Sequence, residues 1–467
     1  MKRKKLPIIK DLLITSIAAE GQSIGKVDNY VIFVRGAVPG DIVDVQLTRK
    51  RKSYAESRII EFKKYSESRV DAFCSHFNRC GGCKWQMLPY KKQLDYKYQQ
   101  VIDQFERIGG FEFPKPTPII KAENDKFYRN KLEFTFANRK WIEKNEPRYD
   151  KSGRELEGLG FHVEGMFDRI IDIEECYLQK EPSNNIRNKI REFTKVDGYD
   201  YYNNRIFKGF MRNLIIKNTS LGEVMVIVVF AENNPEKINA LMEFINVEFP
   251  ELKSLQYVVN TKKNDSISDR DVICYSGDDF ITEKIHNLLF KIGAKTFFQT
   301  NIEQAIKLYE KTLEFANPQK NEIAYDLYTG TGTIANFVAD NYKKVVGIDN
   351  IPESIEHAKL NSQLNSINNT SFFAGDMKDI LTKEFIEKNG TPDTVIMDPP
   401  RAGIHQNVID ILRNIYPEKI VYISCNPATQ ARDISLLSDI YSIEKVQPID
   451  MFPHTHHVEN LVLLEKK

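Results

Sequence analysis

A chain of 467 residues is too long for a single hydrophobic core and implies roughly two to four domains. Its 41% apolar and 28% charged residues, with no long biased tract, exclude a disordered or fibrous protein. The longest apolar run, VMVIVVFA at 224–231, has the length of a buried strand and is far too short for a spanning helix, so no membrane partner is expected. The net charge of +1 gives no overall attraction for nucleic acid, but residues 1–70 hold 15 Lys and Arg against 8 Asp and Glu. That basic module suits phosphates, although MKRKK alone could be a solubilising tail.

Residues 7–62 read as five short strands with Gly and Pro punctuation: DLLITSIA, GQSIGKVDN, YVIFVRGA, VPGDIVDVQLTRK and SYAESRIIEF. Lys10 and Asp11 interrupt the apolar start, which therefore reads as a strand and not as a signal peptide. This spacing predicts a small N-terminal five-stranded β-barrel, set at 1–66, with RKRK at 49–52 displayed between two strands. From Pro89 to Ile108 the apolar residues Leu94, Tyr98, Val101, Ile102, Phe105 and Ile108 recur at helical spacing, stopped by Gly109–Gly110. Residues 117–290 alternate strand-like segments with a few helices, which predicts a central α+β domain over 67–296. Beyond 297, strands expected at 322–328, 344–348, 370–374, 394–397, 420–424 and 458–464 alternate with helices, the rhythm of a doubly wound, Rossmann-like α/β sheet over 297–467.

The motifs of this last region fall at expected strand ends, where open α/β sheets bind ligands. In AYDLYTGTGTIA, Gly330 and Gly332 permit a sharp turn and close backbone approach before a helix start, and Asp349 lies 19 residues past Gly330. Alone, this fits a dinucleotide or S-adenosylmethionine equally well. Asp376 and Asp398, ending the next two strands, favour a nucleoside bearing a sulfonium over a pyrophosphate. Asp398-Pro399-Pro400-Arg401 could be a mere turn, but Arg401 can fork to phosphate or carbonyl. In SCNP, Cys425 follows an apolar strand and precedes Asn426-Pro427; a buried structural thiol is possible, but the position suits a nucleophile. Glu459, at the mouth of the last strand, is the candidate base. His454, His456 and His457 could take a metal with Glu459, though their spacing favours hydrogen bonding around the site.

Six cysteines are too few for a disulfide framework and point to metal or catalysis in a reducing, cytoplasmic setting. Cys74-x5-Cys80-Gly-Gly-Cys83 supplies three ligands. Cys176 follows a strand where a loop can return and is the expected fourth, while Cys274, inside DVICYS, reads as core. Four thiolates fit zinc or a four-iron cluster, and the uneven spacing favours iron–sulfur.

Together with GDIVDVQLTRKRKSYAESRIIE, YRNKLEFTF at 128–136 and FFQTN at 297–301, these motifs make the chain closely similar to the RNA uridine-5-methyltransferase family, in particular its large-subunit (23S) ribosomal RNA branch with a TRAM domain and an iron–sulfur cluster. The resemblance implies that Gln299, Tyr328, Asp349 and Asp398, with Thr333 and Asp376, contact S-adenosylmethionine. It implies Cys425 as nucleophile, Glu459 as proton acceptor, and Cys74, Cys80, Cys83 and Cys176 as holders of a 4Fe–4S cluster. A 23S ribosomal RNA substrate and a monomer are expected, with the 88–117 segment packed on the catalytic domain. The chain departs from the family's usual glutamate at Asp349 and from its usual cysteine at Thr329. Transfer-RNA uridine methylation is the closest rival, its members usually lacking TRAM and cluster. An RNA cytosine-5-methyltransferase would add a cysteine beside the proline motif, and DPPR has none. A binding module built on a dead methyltransferase fold would not be expected to retain Cys425, Glu459 and the cofactor acids together.

Overall fold

The computed structural model describes residues 6–142 and 156–467. Strands β1 (Ile8–Ile17), β2 (Ser23–Val27), β3 (Tyr30–Val34), β4 (Ile42–Lys50) and β5 (Tyr54–Lys64) close into a barrel in the order β1-β2-β3-β5-β4. Alternate residues point inward, so Leu12, Ile14, Ile32, Val34, Val43, Val45 and Ala55 form its core. The RKRK run spans the end of β4 and the turn into β5, and Arg49 pairs with Glu56 at the surface.

Helix α1 (Tyr90–Gln104) begins after Pro89, whose missing N–H costs nothing at a helix start, and widens into a π-turn at Phe105–Gly109. The buried stripe of the helix and its continuation is Gln93, Lys97, Val101 and Phe105, spaced by four, whereas Ile108, expected on the apolar face, is exposed. Val101 and Phe105 pack with Tyr325, Val395 and Tyr422 of the C-terminal sheet.

The central sheet joins β6 (Lys131–Ala137), β7 (Gly158–His162), β8 (Ile170–Asp172), β9 (Met211–Asn218), β10 (Val224–Phe230), β11 (Ser254–Val259) and β12 (Val272–Gly277) in the order β12-β11-β10-β9-β6-β7-β8. Helices α2 (Ser183–Val196) and α3 (Pro235–Glu248) flank it; α3 makes the crossover between the parallel strands β10 and β11 and is capped by Asn234. The unbroken apolar sequence of β10 is buried throughout. Cys274, expected in the core, is exposed instead, because β12 is an edge strand with a bulge opposite Gln256.

A hairpin absent from the sequence reading, β13 (Phe280–Ile285) and β14 (Leu288–Gly293), follows; its turn runs through His286 at φ 52° and carries no glycine to announce it. Ile281, Phe290 and Ile292 join one core with Ile227 of the central sheet and Ala305 and Leu308 of the next helix.

The C-terminal region runs α4 (Ile302–Ala316), β15 (Ile323–Leu327), α5 (Thr333–Val338), β16 (Lys344–Asp349), α6 (Pro352–Leu364), β17 (Thr370–Ala374), α7 (Met377–Ile380), α8 (Lys383–Asn389), β18 (Thr394–Met397), α9 (Gln406–Ile415), β19 (Lys419–Ser424), α10 (Pro427–Ser435), β20 (Tyr441–Ile449) and β21 (Glu459–Lys466). Its sheet order is β17-β16-β15-β18-β19-β21-β20, with β21 antiparallel to both neighbours. All six anticipated strands are present. The seventh, β20, escapes a reading by alternation because it is bulged between Ile443 and Lys445 and carries Pro448 on the sheet edge.

Candidate active site

The reversal of strand order between β15 and β18 opens a crevice at their carboxyl ends, where Tyr328, Asp349, Asp376, Asp398 and Cys425 end or follow successive strands. After β15 the chain turns through Tyr328 (φ 65°), Gly330 (φ 55°) and Gly332 (φ 71°) into α5. A Cβ at Gly332 would strike Ala358 and Phe372, whereas one at Gly330 would meet no atom within 4 Å, leaving open space for a ligand to approach the backbone. The two oxygens of Asp349 accept the N–H of Gly330 (3.0 Å) and of Ile351 (2.9 Å), so this acid shapes the turn it faces.

Asp326, which the sequence reading passed over, lies beneath that turn. Its Oδ2 accepts Thr329 Oγ1 (2.5 Å) and the Ala335 N–H (3.1 Å), and its Oδ1 has no partner among the described residues. Burial, with the Asp398 and Asp349 charges adding, pushes its carboxyl up to about 7. An acid inside an otherwise apolar strand, LYTG following, was the available signal.

Tyr328 and Asp376 line one cavity of about 220 Å³ with Asn350, Met377, His405 and Asn407; Gln299, Thr333, Asp349 and Asp398 do not line it. Asn350 and His405 were also missed, although each sits in a loop directly after a motif. Asp376 caps α7 and pairs with Lys378 at the surface. Thr333 opens α5, its hydroxyl 3.3 Å from that of Thr331. Gln299 is half-buried between β14 and α4, and its carbonyl accepts Asn130 Nδ2 (3.0 Å).

Cys425, Glu459 and Asp398 share the far end of the crevice. Cys425 follows β19, and Asn426 caps α10 while donating through Nδ2 to the Arg401 carbonyl (3.1 Å), which ties SCNP to DPPR. Burial, then the charges of Glu459 and Asp398, push the Cys425 thiol up to about 11; the Arg401 guanidinium opposes them by charge and hydrogen bond. Glu459 opens β21, one residue from the Asn460–Ser424 pairing, and is buried. Burial and the Asp398 charge raise its carboxyl well above the usual range, with Arg401 again opposing, and burial raises Asp398 as well. Arg401 also lies 3.4 Å from both ring nitrogens of His457. Burial holds His456 and His457 down to about 4 and 3, so both are neutral here. From Asp349 through Asp326, Asp398 and Glu459 the crevice therefore carries a line of carboxyls with one guanidinium, a setting that a cationic ligand would relieve.

Cys74, Cys80, Cys83 and Cys176 line a second cavity, of about 180 Å³, with Gln86, Arg129 and Thr455 among its other walls. Burial and the neighbouring sulfurs push Cys80 up to about 12 and Cys176 to about 11 and raise Cys83, while burial and the Glu175 charge raise Cys74; Arg129 and Lys84 oppose the rise at Cys83, Arg187 at Cys176. Among the described residues no three His, Cys, Asp or Glu side chains converge to hold a single metal ion, the histidines of 454–457 included. The loop bearing those histidines abuts the cysteine segment: the His454 carbonyl accepts the N–H of Lys84 (2.7 Å) and of Trp85 (3.1 Å), and Tyr128 Oη donates to the Pro453 carbonyl (3.0 Å).

Comparison with known proteins shows the family. Residues 268–467 match the tRNA (Uracil-5-)-methyltransferase family model, and 9–60 match the TRAM domain. An uncharacterized RNA methyltransferase of Bacteroides thetaiotaomicron is 50% identical over 96% of this chain and 100% of its own. A second, from Porphyromonas gingivalis, is 50% identical over 97% and 98%. The crystal structure of Pyrococcus abyssi tRNA (uracil-54, C5)-methyltransferase in complex with S-adenosyl-L-homocysteine superposes with a TM-score of 0.75 at 28% identity, covering 98% of this chain and 100% of that one. With whole-length relatives that are RNA methyltransferases and a uracil-5 signature over its catalytic sheet, the chain belongs to the RNA uracil-5-methyltransferase family.

Proposed function

We propose that this enzyme methylates carbon 5 of a uridine in 23S ribosomal RNA through a covalent adduct between Cys425 and carbon 6 of the base. The observation that carries the reading is the convergence of Cys425, Glu459, Asp398 and Arg401 at one end of the ligand crevice. Carbon 5 of uracil is a poor nucleophile. Addition of the Cys425 thiolate to carbon 6 makes carbon 5 the reactive end of an enolate, and Arg401 favours the thiolate that attacks. Once carbon 5 carries the methyl group, Glu459 takes the proton from that carbon, and the Cys425 sulfur leaves by β-elimination as the thiolate. Gln299, Tyr328, Asp349 and Asp398 with Thr333 and Asp376 would hold S-adenosylmethionine, whose sulfonium would supply the methyl group as an electrophile and depart as S-adenosylhomocysteine. The open face of Gly330 and the unrelieved acids around Asp326 suit a cationic nucleoside.

We assign the thiol-lined cavity to a 4Fe–4S cluster held by Cys74, Cys80, Cys83 and Cys176. Sulfurs arranged around a cavity suit a bulky cluster better than one ion bound at about 2.3 Å. Arg129, Lys84 and Arg187 offset its negative charge, and the cluster would supply the iron–thiolate bonds that make four buried thiolates tolerable.

A transfer-RNA substrate is the second reading. The archaeal enzyme, whose substrate is tRNA, is matched along its whole length, so this architecture does not by itself select ribosomal RNA. Mass-spectrometric mapping of 5-methyluridine in both RNAs of a deletion strain decides: loss from 23S RNA is expected, and loss confined to tRNA replaces the substrate. Substrate RNA carrying 5-fluorouridine should give a denaturant-stable complex with the wild type and none with Cys425→Ala.

A further inference from the structure

We infer that a groove on the central domain, bordered by Phe167 and Phe207, binds single-stranded RNA flanking the target uridine; its role as a substrate site rests on the RNA reading above. The groove, of about 790 Å³, is lined by Lys84, Glu164, Phe167, Phe207, Lys263 and Asp265, among others. Phe167 is 66% exposed and Phe207 43%, so both rings present faces to solvent at the groove. They are held in place: Asn204 Nδ2 donates to the Phe167 carbonyl (3.2 Å), joining the turn after β7 to the turn that carries Phe207. On the groove's other wall, the Gly81 N–H donates to the His162 carbonyl (3.0 Å), fixing the cysteine loop to β7.

Charge selects the occupant. Glu164 is shared by Arg35 (3.3 Å) and Lys84 (3.0 Å), and Asp265 is held by the buried Arg212 (2.7 Å). Lys263 has no acidic partner among the described residues, and its Nζ stands 5.0 Å from the Phe207 ring centre. Both acids are thus neutralised and a cationic surplus remains beside two exposed rings, the pairing that holds bases by stacking and backbone by charge. At one end the groove borders the 454–457 loop: the Lys84 backbone N–H donates to the His454 carbonyl, and the charges of Lys84 and Glu164 reach His456, three residues before Glu459. An RNA strand with one base at Cys425 can therefore pass its neighbours over the 454–457 loop into the groove.

The test is binding of a fluorescein-labelled single-stranded RNA of about a dozen nucleotides, read by anisotropy with the full-length protein, beside ultraviolet crosslinking and peptide mapping. We expect Phe167→Ala with Phe207→Ala to weaken binding about tenfold or more. Lys263→Gln should lower the slope of log affinity against log salt by about one, and Phe167→Tyr should retain wild-type affinity. Crosslinks should map to 162–168 and 203–208. Melting temperatures within the wild-type range exclude misfolding as the cause, and both rings are exposed enough for the replacements to fold. Unchanged affinity in the double variant, or crosslinks confined to other surfaces, overturns the proposal. Because binding is read apart from 5-methyluridine formation, a wild type that binds here yet methylates no uridine overturns the reaction and leaves the groove standing.

Discussion

Lys97 and Asp450 form an ion pair of 2.6 Å with both side chains withdrawn from solvent, and it joins α1 to the residues that lead from β20 to Glu459. Lys97 also donates to the Phe452 carbonyl (3.0 Å), Tyr90 Oη donates to the other Asp450 oxygen (2.8 Å), and Gln93 Nε2 lies 3.1 Å from His454 Nδ1. One buried polar stripe of α1 thus holds the loop on which the proposed base is mounted.

Removing one member of such a pair leaves the other charge buried. Lys97→Met should cost about 3–5 kcal/mol in urea unfolding, and Asp450→Leu a similar amount. The double variant should recover much of that loss, since no lone charge remains. Additive losses in the two single variants would show that the pair is not coupled.

That stripe also marks where sequence reading stops. Leu94 and Ile102 announce a helix, but nothing local marks Gln93 and Lys97 for burial, because their partners lie more than 350 residues away. Where a signal is local, it is legible: the alternation of the barrel strands, the unbroken β10, and the acids and thiol that terminate β16 to β19. Where it depends on tertiary pairing, it is not. Cys274 looks like core until β12 becomes an edge, and β20 carries a proline tolerated only there. Asp326 stands out only as an acid in an apolar strand, since nothing along the chain reveals that Thr329 and Ala335 fold back onto it.

Asp326 gives a pH signature. Its folded-state carboxyl is pushed from 3.8 up to about 7, so between these values the native protein keeps a proton that the unfolded chain has released. Stability must then fall as pH rises through that window. Asp326→Asn keeps an oxygen for the Thr329 and Ala335 donors and removes the titration. Its melting temperature should decline less than the wild type's between pH 5 and pH 8; parallel declines would mean that Asp326 ionises normally.

Arg401 is the one guanidinium seen opposing the pKa rise of both Cys425 and Glu459. In Arg401→Gln the thiol should climb further above 11, leaving less thiolate at any given pH. Adduct formation with 5-fluorouridine RNA should slow by about tenfold or more at neutral pH, because the thiolate fraction falls tenfold each time the thiol pKa rises by about one. The rate should rise with pH in both proteins, later in the variant. An unshifted profile would remove Arg401 from thiolate stabilisation.

The two outlying cysteines make opposite predictions. Cys176 is buried in the thiol-lined cavity, and Cys274 is exposed on an edge strand. Anaerobically purified protein should contain iron and sulfide at about four each per chain. Cys176→Ser should lose both and Cys274→Ser neither. Stoichiometric zinc in a colourless, active preparation would reassign the cavity.

Glu459→Gln separates proton removal from the earlier steps. Glutamine keeps the shape and hydrogen-bonding reach of Glu459 but cannot accept the carbon 5 proton. Addition of Cys425 and methylation precede that transfer, so the variant should still attack RNA and stall as a methylated covalent complex. Turnover should fall by about 100- to 10,000-fold, the usual contribution of a positioned base. Because Asp398 lies beside Glu459 and its charge raises the Glu459 carboxyl, the substitution also relieves a mutual repulsion, and Cys425 loses one of the two charges that suppress its thiolate. Adduct formation in Glu459→Gln should therefore be as fast as in the wild type or faster, while release is slow. Single-turnover labelling with methyl-tritiated cofactor, comparing label in the protein–RNA adduct with label in free RNA, reads both steps. A variant that binds RNA and cofactor yet forms no labelled adduct would place Glu459 before methyl transfer, and wild-type turnover would remove it from proton transfer altogether.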